Sequence, residues 1–151
     1  MSASELPRLL FVCVENSNRS QMAEAFARAY GQDALVAASA GLTPAIAVAS
    51  DTVRAMAEKA IDLGGQFPKS IHHLGHLKFD LVVNMTGFAL PDGIGATVLE
   101  WRVPDPVSMK YEKHREVRDE IERLVMNLIL KLRSEQRAPR FRGQGSGRLK
   151  I

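Results

Sequence analysis

Four short apolar runs, Leu9 to Val14, Ala34 to Ser39, Phe79 to Met85 and Ala96 to Glu100, constrain the fold of this chain more than any other feature. Most are nearly continuous rather than alternating, the pattern of strands covered on both faces in a parallel sheet. The segments between them carry helical periodicity. Met22, Ala25, Phe26 and Ala29 keep the i, i+3, i+4, i+7 spacing, and Val53, Met56, Ala57 and Ala60 repeat it. Ser50 is placed to cap the second of these helices, with Asp51 in its first turn. Beyond Pro104 and Pro106, the residues Val117, Ile121, Leu124, Val125, Leu128 and Leu132 define the apolar face of a long helix opening near Glu112. Lys113, His114, Arg115, Arg118, Asp119 and Glu122 read as its solvated face. Strands alternating with helices predict a single small doubly wound α/β domain, with a four-stranded parallel sheet flanked by helices.

Composition agrees and narrows the function classes. A chain of 151 residues, 46% hydrophobic and 25% charged, buries an ordinary core, which excludes wholesale disorder and collagen-like repeats. No apolar run approaches the length of a bilayer span, and residues 1–5 lack the charge and apolar pattern of a signal peptide, so no membrane association is expected. The net charge of +3 is unevenly placed. From Arg133 onward, Arg133, Arg137, Arg140, Arg142, Arg148 and Lys150 against Glu135 give +5, leaving −2 for the rest. Residues 137–151 contain helix breakers and like charges without periodicity, and are expected to be a flexible basic tail on a domain spanning 1–136. Arg140-Phe141-Arg142 could touch phosphates, but a basic end this short reads first as solvated, and no nucleic-acid partner is expected.

Cys13 is the chain's one cysteine, so no internal disulfide framework or cysteine-rich metal site can form. This fits a reducing compartment, and a cytoplasmic location is expected. The position of Cys13 matters more than its rarity. The segment Cys13-Val14-Glu15-Asn16-Ser17-Asn18-Arg19-Ser20 puts a thiol at a strand end, five residues of loop, then an arginine and a serine opening a helix. Ligands of doubly wound sheets bind at the carboxyl ends of the strands. A short loop entering a helix turns backbone N–H groups inward and, with the helix dipole, makes an anion cradle. Arg19 adds a planar fork suited to two oxygens of a tetrahedral oxyanion. The same field favours a thiolate aimed at the centre of the anion, and Ser20 can hydrogen-bond that sulfur. The alternative, a buried strand-end cysteine beside a solvated arginine, leaves the strand–loop–helix context without a reason.

These residues give the chain a resemblance to the low-molecular-weight protein tyrosine phosphatase superfamily, which includes the thiol-linked arsenate reductases. The resemblance runs through Phe11-Val12-Cys13, Arg19-Ser20-Gln21-Met22-Ala23-Glu24-Ala25, Ser39-Ala40-Gly41, Phe79-Asp80-Leu81-Val82-Val83 and Pro104-Asp105-Pro106, and reaches about Leu132. It implies Cys13 as nucleophile, Arg19 as oxyanion clamp, Ser20 as thiolate stabiliser and Asp105 as general acid. It implies phosphate binding by Val14, Glu15, Asn16, Ser17, Asn18 and Arg19, with Asn16 and Ser39 as a hydrogen-bonded pair holding the loop. Independently, a carboxylic acid on a proline-stiffened loop can protonate a leaving oxygen, although Asp before proline also forms turns.

The sequence departs from the family pattern at three points. Glu15 stands where many members have glycine, and a carboxylate beside an oxyanion repels it unless turned outward. Asn18 replaces a frequent second loop cysteine, and Thr86 lies where disulfide-relay reductases carry a resolving cysteine, so such a relay cannot run within this chain. The arsenate reductase branch is the closer likeness in two places: Asp105-Pro106-Val107-Ser108-Met109 lacks the tyrosines common in the tyrosine phosphatases, and Leu42-Thr43-Pro44-Ala45-Ile46 lacks an aromatic wall.

The leading expectation is a cysteine-dependent phosphatase acting through a phosphocysteine intermediate. The alternatives are an arsenate reductase using a small thiol or redoxin, and a non-catalytic oxyanion-binding module. Partners are a phosphorylated substrate or arsenate, and no cofactor is expected. His72, His73 and His76 read as solvated or capping residues rather than metal ligands. Lys69 lies where the resemblance places a potassium-binding acid in some reductases, and either supplies that cation itself or is a surface lysine. Trp101 reads as a packing residue at a strand end.

Overall fold

A computed structural model describes residues 6–75, 77–95 and 97–137. Its elements are β1 (Arg8–Cys13), α1 (Arg19–Tyr30), β2 (Val36–Gly41), α2 (Ser50–Ala57), a 3-10 turn (Ile71–Leu74), β3 (Leu81–Asn84), β4 (Thr97–Glu100) and α3 (Tyr111–Arg137). Among the described residues the strands form one four-stranded parallel sheet in the order β2-β1-β3-β4. The chain moves from β1 to β2 on one side and then to β3 on the other. The carboxyl end of β1, at Cys13, is therefore the switch point where such sheets open a crevice.

Alternation along β1 divides the interior. Leu9, Phe11 and Cys13 face a core shared with α1, α2 and α3, whereas Leu10 and Val12 meet Ala40, Ile71, Phe79 and Val82 on the other side. That second side is covered by the 3-10 turn and loops, with Leu42, Leu74, Leu77, Leu90 and Ile94 packed against it. Strands buried on both faces account for the near-continuous apolar runs. Trp101 packs its ring on Phe11 at 6.0 Å, as a strand-end packing residue should.

The boundaries differ from the sequence expectations where backbone bonding intervenes. The run from Ala34 does not pair until Val36, because the N–H groups of Ala34 and Leu35 turn back to the carbonyl of Gly31. Ser50 is not the cap of α2 but its first residue. Ala49 is the N-cap, and its N–H is held by the carbonyl of Ser17 at 3.1 Å. Met56 is buried as expected, but the buried face of α2 is completed by Thr52 and Ala55, whereas Val53, Ala57 and Ala60 are exposed. The Thr52 hydroxyl bonds the Asn18 side chain, which fixes the roll of the helix, and Ala60 lies beyond its end in a left-handed conformation. Ala29 is exposed at the outer end of α1, whereas Arg19 to Ala27 are all buried.

The expected solvated face of α3 is interrupted. Arg118 is buried, and its Nη1 donates to the Ala55 carbonyl (3.0 Å) and to Glu58 (2.6 Å). His114 is buried too, its Nε2 facing Asp51 at 3.5 Å. Helix α3 packs on α2 through this polar seam, which a periodicity of apolar residues does not reveal. Of the expected tail, Arg137 ends α3 and residues 138–151 lie outside the described residues, as do His76 and Ala96.

Gly41, which ends β2 opposite Cys13, is fixed by contact. A Cβ there would lie 2.8 Å from the Val14 carbonyl oxygen and 2.9 Å from the Asn16 nitrogen. Both are backbone atoms that cannot swing aside. Gly41→Ala is therefore expected to cost about 1–3 kcal/mol in urea unfolding. Gly65→Ala, where a Cβ meets nothing within 4 Å, should stay within about 1 kcal/mol of the parent.

Candidate active site

Residues 14–18 leave β1 and enter α1 under tight backbone control. The carbonyls of Cys13, Val14, Glu15 and Ser17 accept from the N–H groups of Leu42, Thr43, Ala45 and Ala49, so the segment after β2 wraps the outside of the loop. The Asn16 carbonyl accepts from Gln21 at 3.0 Å. With its acceptors tied outward, the loop keeps its amide N–H groups as donors for an anion. No side chain caps α1, since the Asn18 carboxamide accepts from Thr52, and the positive end of the helix dipole is available to the same anion.

Asn16 turns the loop in a left-handed conformation (φ 53°), which asparagine tolerates better than most residues. Its buried side chain uses its full bonding capacity. Nδ2 donates to Ser20 Oγ (2.7 Å) and Ser39 Oγ (3.0 Å), and Oδ1 accepts from Gln21 Nε2 and the Lys69 N–H, each at 3.0 Å. Because Ser20 Oγ accepts from Asn16, its own proton is free to point at Cys13 Sγ, 2.8 Å away. Ser39 accepts from Asn16 and donates to Glu24 Oε1 at 2.6 Å, while Glu24 Oε2 pairs with Arg28 at 2.7 Å. The expected Asn16–Ser39 pair and Ser20–sulfur contact are thus parts of one hydrogen-bonded chain between Glu24 and the thiol, with Asn16 donating in both directions.

Arg19 is almost wholly buried and its guanidinium is divided in two. Nη1 donates to the carbonyls of Met85 (2.6 Å) and Val103 (2.9 Å), which anchors the group to the segments that follow β3 and β4. The opposite edge, Nε and Nη2, faces the pocket. Nε has no hydrogen-bond partner among the described residues, and Nη2 lies 3.5 Å from Asp105 Oδ2. Two parallel donors on that edge match two oxygens of a tetrahedral anion. Asp105 is half-buried, and its Oδ1 accepts from the Val107 N–H at 3.0 Å. It therefore forms a turn and also faces the pocket lined by Cys13, Glu15, Ser17, Asn18 and Arg19.

Sequence reasoning missed Glu24, Gln21 and Thr52. Gln21 ties Asn16 to the Phe67 carbonyl, and Glu24 is a carboxylate buried on a helix whose neighbouring positions are apolar. That placement, four residues after Ser20 and four before Arg28, was the available signal. Lys69 is half-buried beside this network. Burial pushes its ammonium below the usual lysine range, opposed by Glu24 and reinforced by Arg28. His72 and His73 are exposed on the 3-10 turn, and no group of three or more His, Cys, Asp or Glu among the described residues is placed to hold a metal ion. Thr86 is buried in the turn after β3, where its hydroxyl bonds Asn84 (2.7 Å) and the Phe88 carbonyl (3.0 Å). No helix among the described residues is long and apolar enough to cross a membrane.

The chain is similar to proteins already known. A family model described as low molecular weight phosphotyrosine protein phosphatase matches residues 8–92. A glutaredoxin arsenate reductase of Synechocystis sp. is 32% identical over 131 residues, covering 84% of this chain and 99% of that protein. A solved arsenate reductase in a phosphate-binding state superposes with a TM-score of 0.76 at 30% identity, covering 84% of this chain and 99% of that one. An arginine phosphatase from Geobacillus stearothermophilus shares the fold at 24% identity (TM-score 0.73), covering 89% of this chain and 99% of that one. On the loop from Cys13 to Ser20, the parallel sheet that presents it and these matches, the chain belongs to the low molecular weight phosphotyrosine protein phosphatase family and is an enzyme of that superfamily.

Proposed function

We propose that this protein reduces arsenate, with Cys13 as the nucleophile and thiols from outside the chain completing the reaction. The carrying observation is the pocket itself. Among the described residues its lining is polar and contains no aromatic side chain, which suits a bare tetrahedral oxyanion better than an aryl ester. The likeness to arsenate reductases over most of the chain supports the same reading. This ranks the reductase above the phosphatase that the sequence placed first.

In this reading the anion binds the loop amides and the Nε/Nη2 edge of Arg19, displacing Asp105 from Nη2 and leaving that carboxyl free to carry a proton. The Cys13 thiolate attacks arsenic, an S–As bond forms, and one As–O bond breaks as the oxygen leaves as water with a proton from Asp105. Arsenic is still pentavalent. An external thiolate then attacks Cys13 Sγ, forming a disulfide, and the S–As electron pair goes to arsenic, which leaves as arsenite. A second external thiol frees Cys13. Since Cys13 is the chain's one cysteine, the oxidising equivalents must pass to those external thiols.

Phosphomonoester hydrolysis is the second reading, favoured by Asp105 lying 3.5 Å from the Arg19 fork, where it can protonate a leaving alkoxide. One preparation should be assayed for thiol-dependent arsenate reduction and for p-nitrophenyl phosphate hydrolysis. Arsenate turnover only with a small thiol and a redoxin, and much faster than ester hydrolysis, is the expected result. The reverse ranking makes the protein a phosphatase, and tight phosphate binding with neither activity makes it a non-catalytic module.

Two variants test the assigned roles. Cys13→Ser should lose turnover while still binding phosphate by calorimetry, because a hydroxyl at that site stays protonated. Asp105→Asn should slow hydrolysis of an alkyl phosphate about 10²-fold or more and that of p-nitrophenyl phosphate much less, since only the poor leaving group needs the proton. Equal losses would make Asp105 a turn residue alone.

A further inference from the structure

Glu15 is the one ionisable side chain of the pocket lining that the chemistry above leaves without a task. Its backbone is committed, because its carbonyl accepts from Ala45 at 2.9 Å. Its side chain is half-buried and lines the pocket beside Cys13, Arg19 and Asp105. Among the described residues the carboxylate has no hydrogen bond or ion pair. The two groups beside it that could carry negative charge both have partners. Asp105 faces Arg19, and the sulfur of Cys13 receives Ser20. The wrapping segment 42–49 contributes no charged residue that could answer Glu15.

An unpaired carboxylate at an oxyanion site weakens binding of the very ligand the loop is built for, unless it acts on something else that enters. Two reactants must reach Cys13 in sequence, and they differ in what holds them. The oxyanion is gripped by the amides, the helix end and the Arg19 edge, all at short range. The thiol that follows has no such grip, so the long-range field at the mouth decides which thiols approach the sulfur.

We propose that Glu15 is a specificity-determining residue that sets a charge filter over Cys13, favouring cationic or neutral reactants over anionic ones among those that the loop amides and the Arg19 edge do not grip. Applied to the resolving thiol, this rests on the arsenate-reductase reading, and it identifies the preferred co-substrate class as small thiols bearing an ammonium group. The filter itself belongs to the pocket and holds whatever reaction Cys13 performs. In the thiol step the bonds are those already written: S–S forms, S–As breaks, and the electron pair passes to arsenic. Glu15 takes no proton and forms no bond, and acts only on the local concentration and orientation of the incoming thiol.

The lone cysteine permits a test that needs no turnover. Cys13 is alkylated, at low ionic strength, with 2-bromoethylamine, iodoacetamide and iodoacetate, and the charged reagents' rates are divided by that of neutral iodoacetamide. This ratio removes any change in the reactivity of the sulfur itself. In Glu15→Gln, which keeps the size and shape of the side chain, the iodoacetate ratio should rise about fivefold or more and the bromoethylamine ratio fall comparably. Both changes should shrink at about 1 M salt, where the screening length is near 3 Å. Glu15→Asp should keep most of the parent's selectivity.

A second arm supplies arsenate with cysteamine, 2-mercaptoethanol or 3-mercaptopropionate as the thiol. The parent should favour cysteamine over mercaptopropionate severalfold more than Glu15→Gln does. Alkylation ratios that stay within twofold of the parent overturn the filter, as does an equal change for all three reagents. If no thiol supports arsenate reduction while the alkylation ratios shift as expected, the reductase reading fails and the filter stands. A shift in the ratios without any change in thiol preference overturns the assignment of the co-substrate class.

Discussion

The carboxamide of Asn16 is the interaction on which the site depends. It occupies the one left-handed position in the loop and spends two donors and two acceptors on Ser20, Ser39, Gln21 and the Lys69 backbone. These partners come from α1, from β2 and from the chain before the 3-10 turn. A single planar group therefore fixes the distance between three parts of the fold and, through Ser20, the direction of a proton toward Cys13. Leaving such partners buried and unpaired costs about 1–3 kcal/mol each, so the network is stable only when complete.

Its outer end is ionic. Glu24 is a buried carboxylate whose two oxygens are answered by Ser39 and Arg28, with Lys69 adding positive potential from the side. A buried charge is a net stabiliser only when its partners are in place, and removing one of them is far more damaging than replacing the whole set. The same logic applies to Arg19. By giving Nη1 to the carbonyls of Met85 and Val103, the protein fixes a flexible side chain in one orientation and presents a rigid edge to the pocket. A lysine could supply the charge but not the orientation.

How much of this could be read from the sequence follows from where each contact lies along the chain. Cys13, Arg19 and Ser20 were legible because strand, loop and helix are contiguous and the chemistry constrains their spacing. Asp105 was legible through its proline-flanked context, although its turn-forming bond to Val107 shows that both readings of that residue describe the same side chain. Glu24 and Gln21 were not, because their partners Ser39 and Phe67 lie 15 and 46 residues away. The buried face of α2 was only partly legible, because apolar periodicity cannot register a threonine turned inward to meet Asn18. His114 and Arg118 were placed in solvent for the opposite reason: a polar side chain is buried when a neighbouring helix offers it a carboxylate or a carbonyl.

The spread of these contacts has a consequence for how the protein matures. The bonds that aim Arg19 close loops of 66 and 84 residues, and the last of them requires the end of β4 to be in place. Helices α1 and α3, which depend first on local hydrogen bonds, can form long before those loops close. A chain caught midway in folding would thus carry much of its helical signal while its reactive sulfur still lacked an oriented guanidinium. On the proposed function, oxyanion affinity is then a more stringent reporter of complete folding than secondary structure.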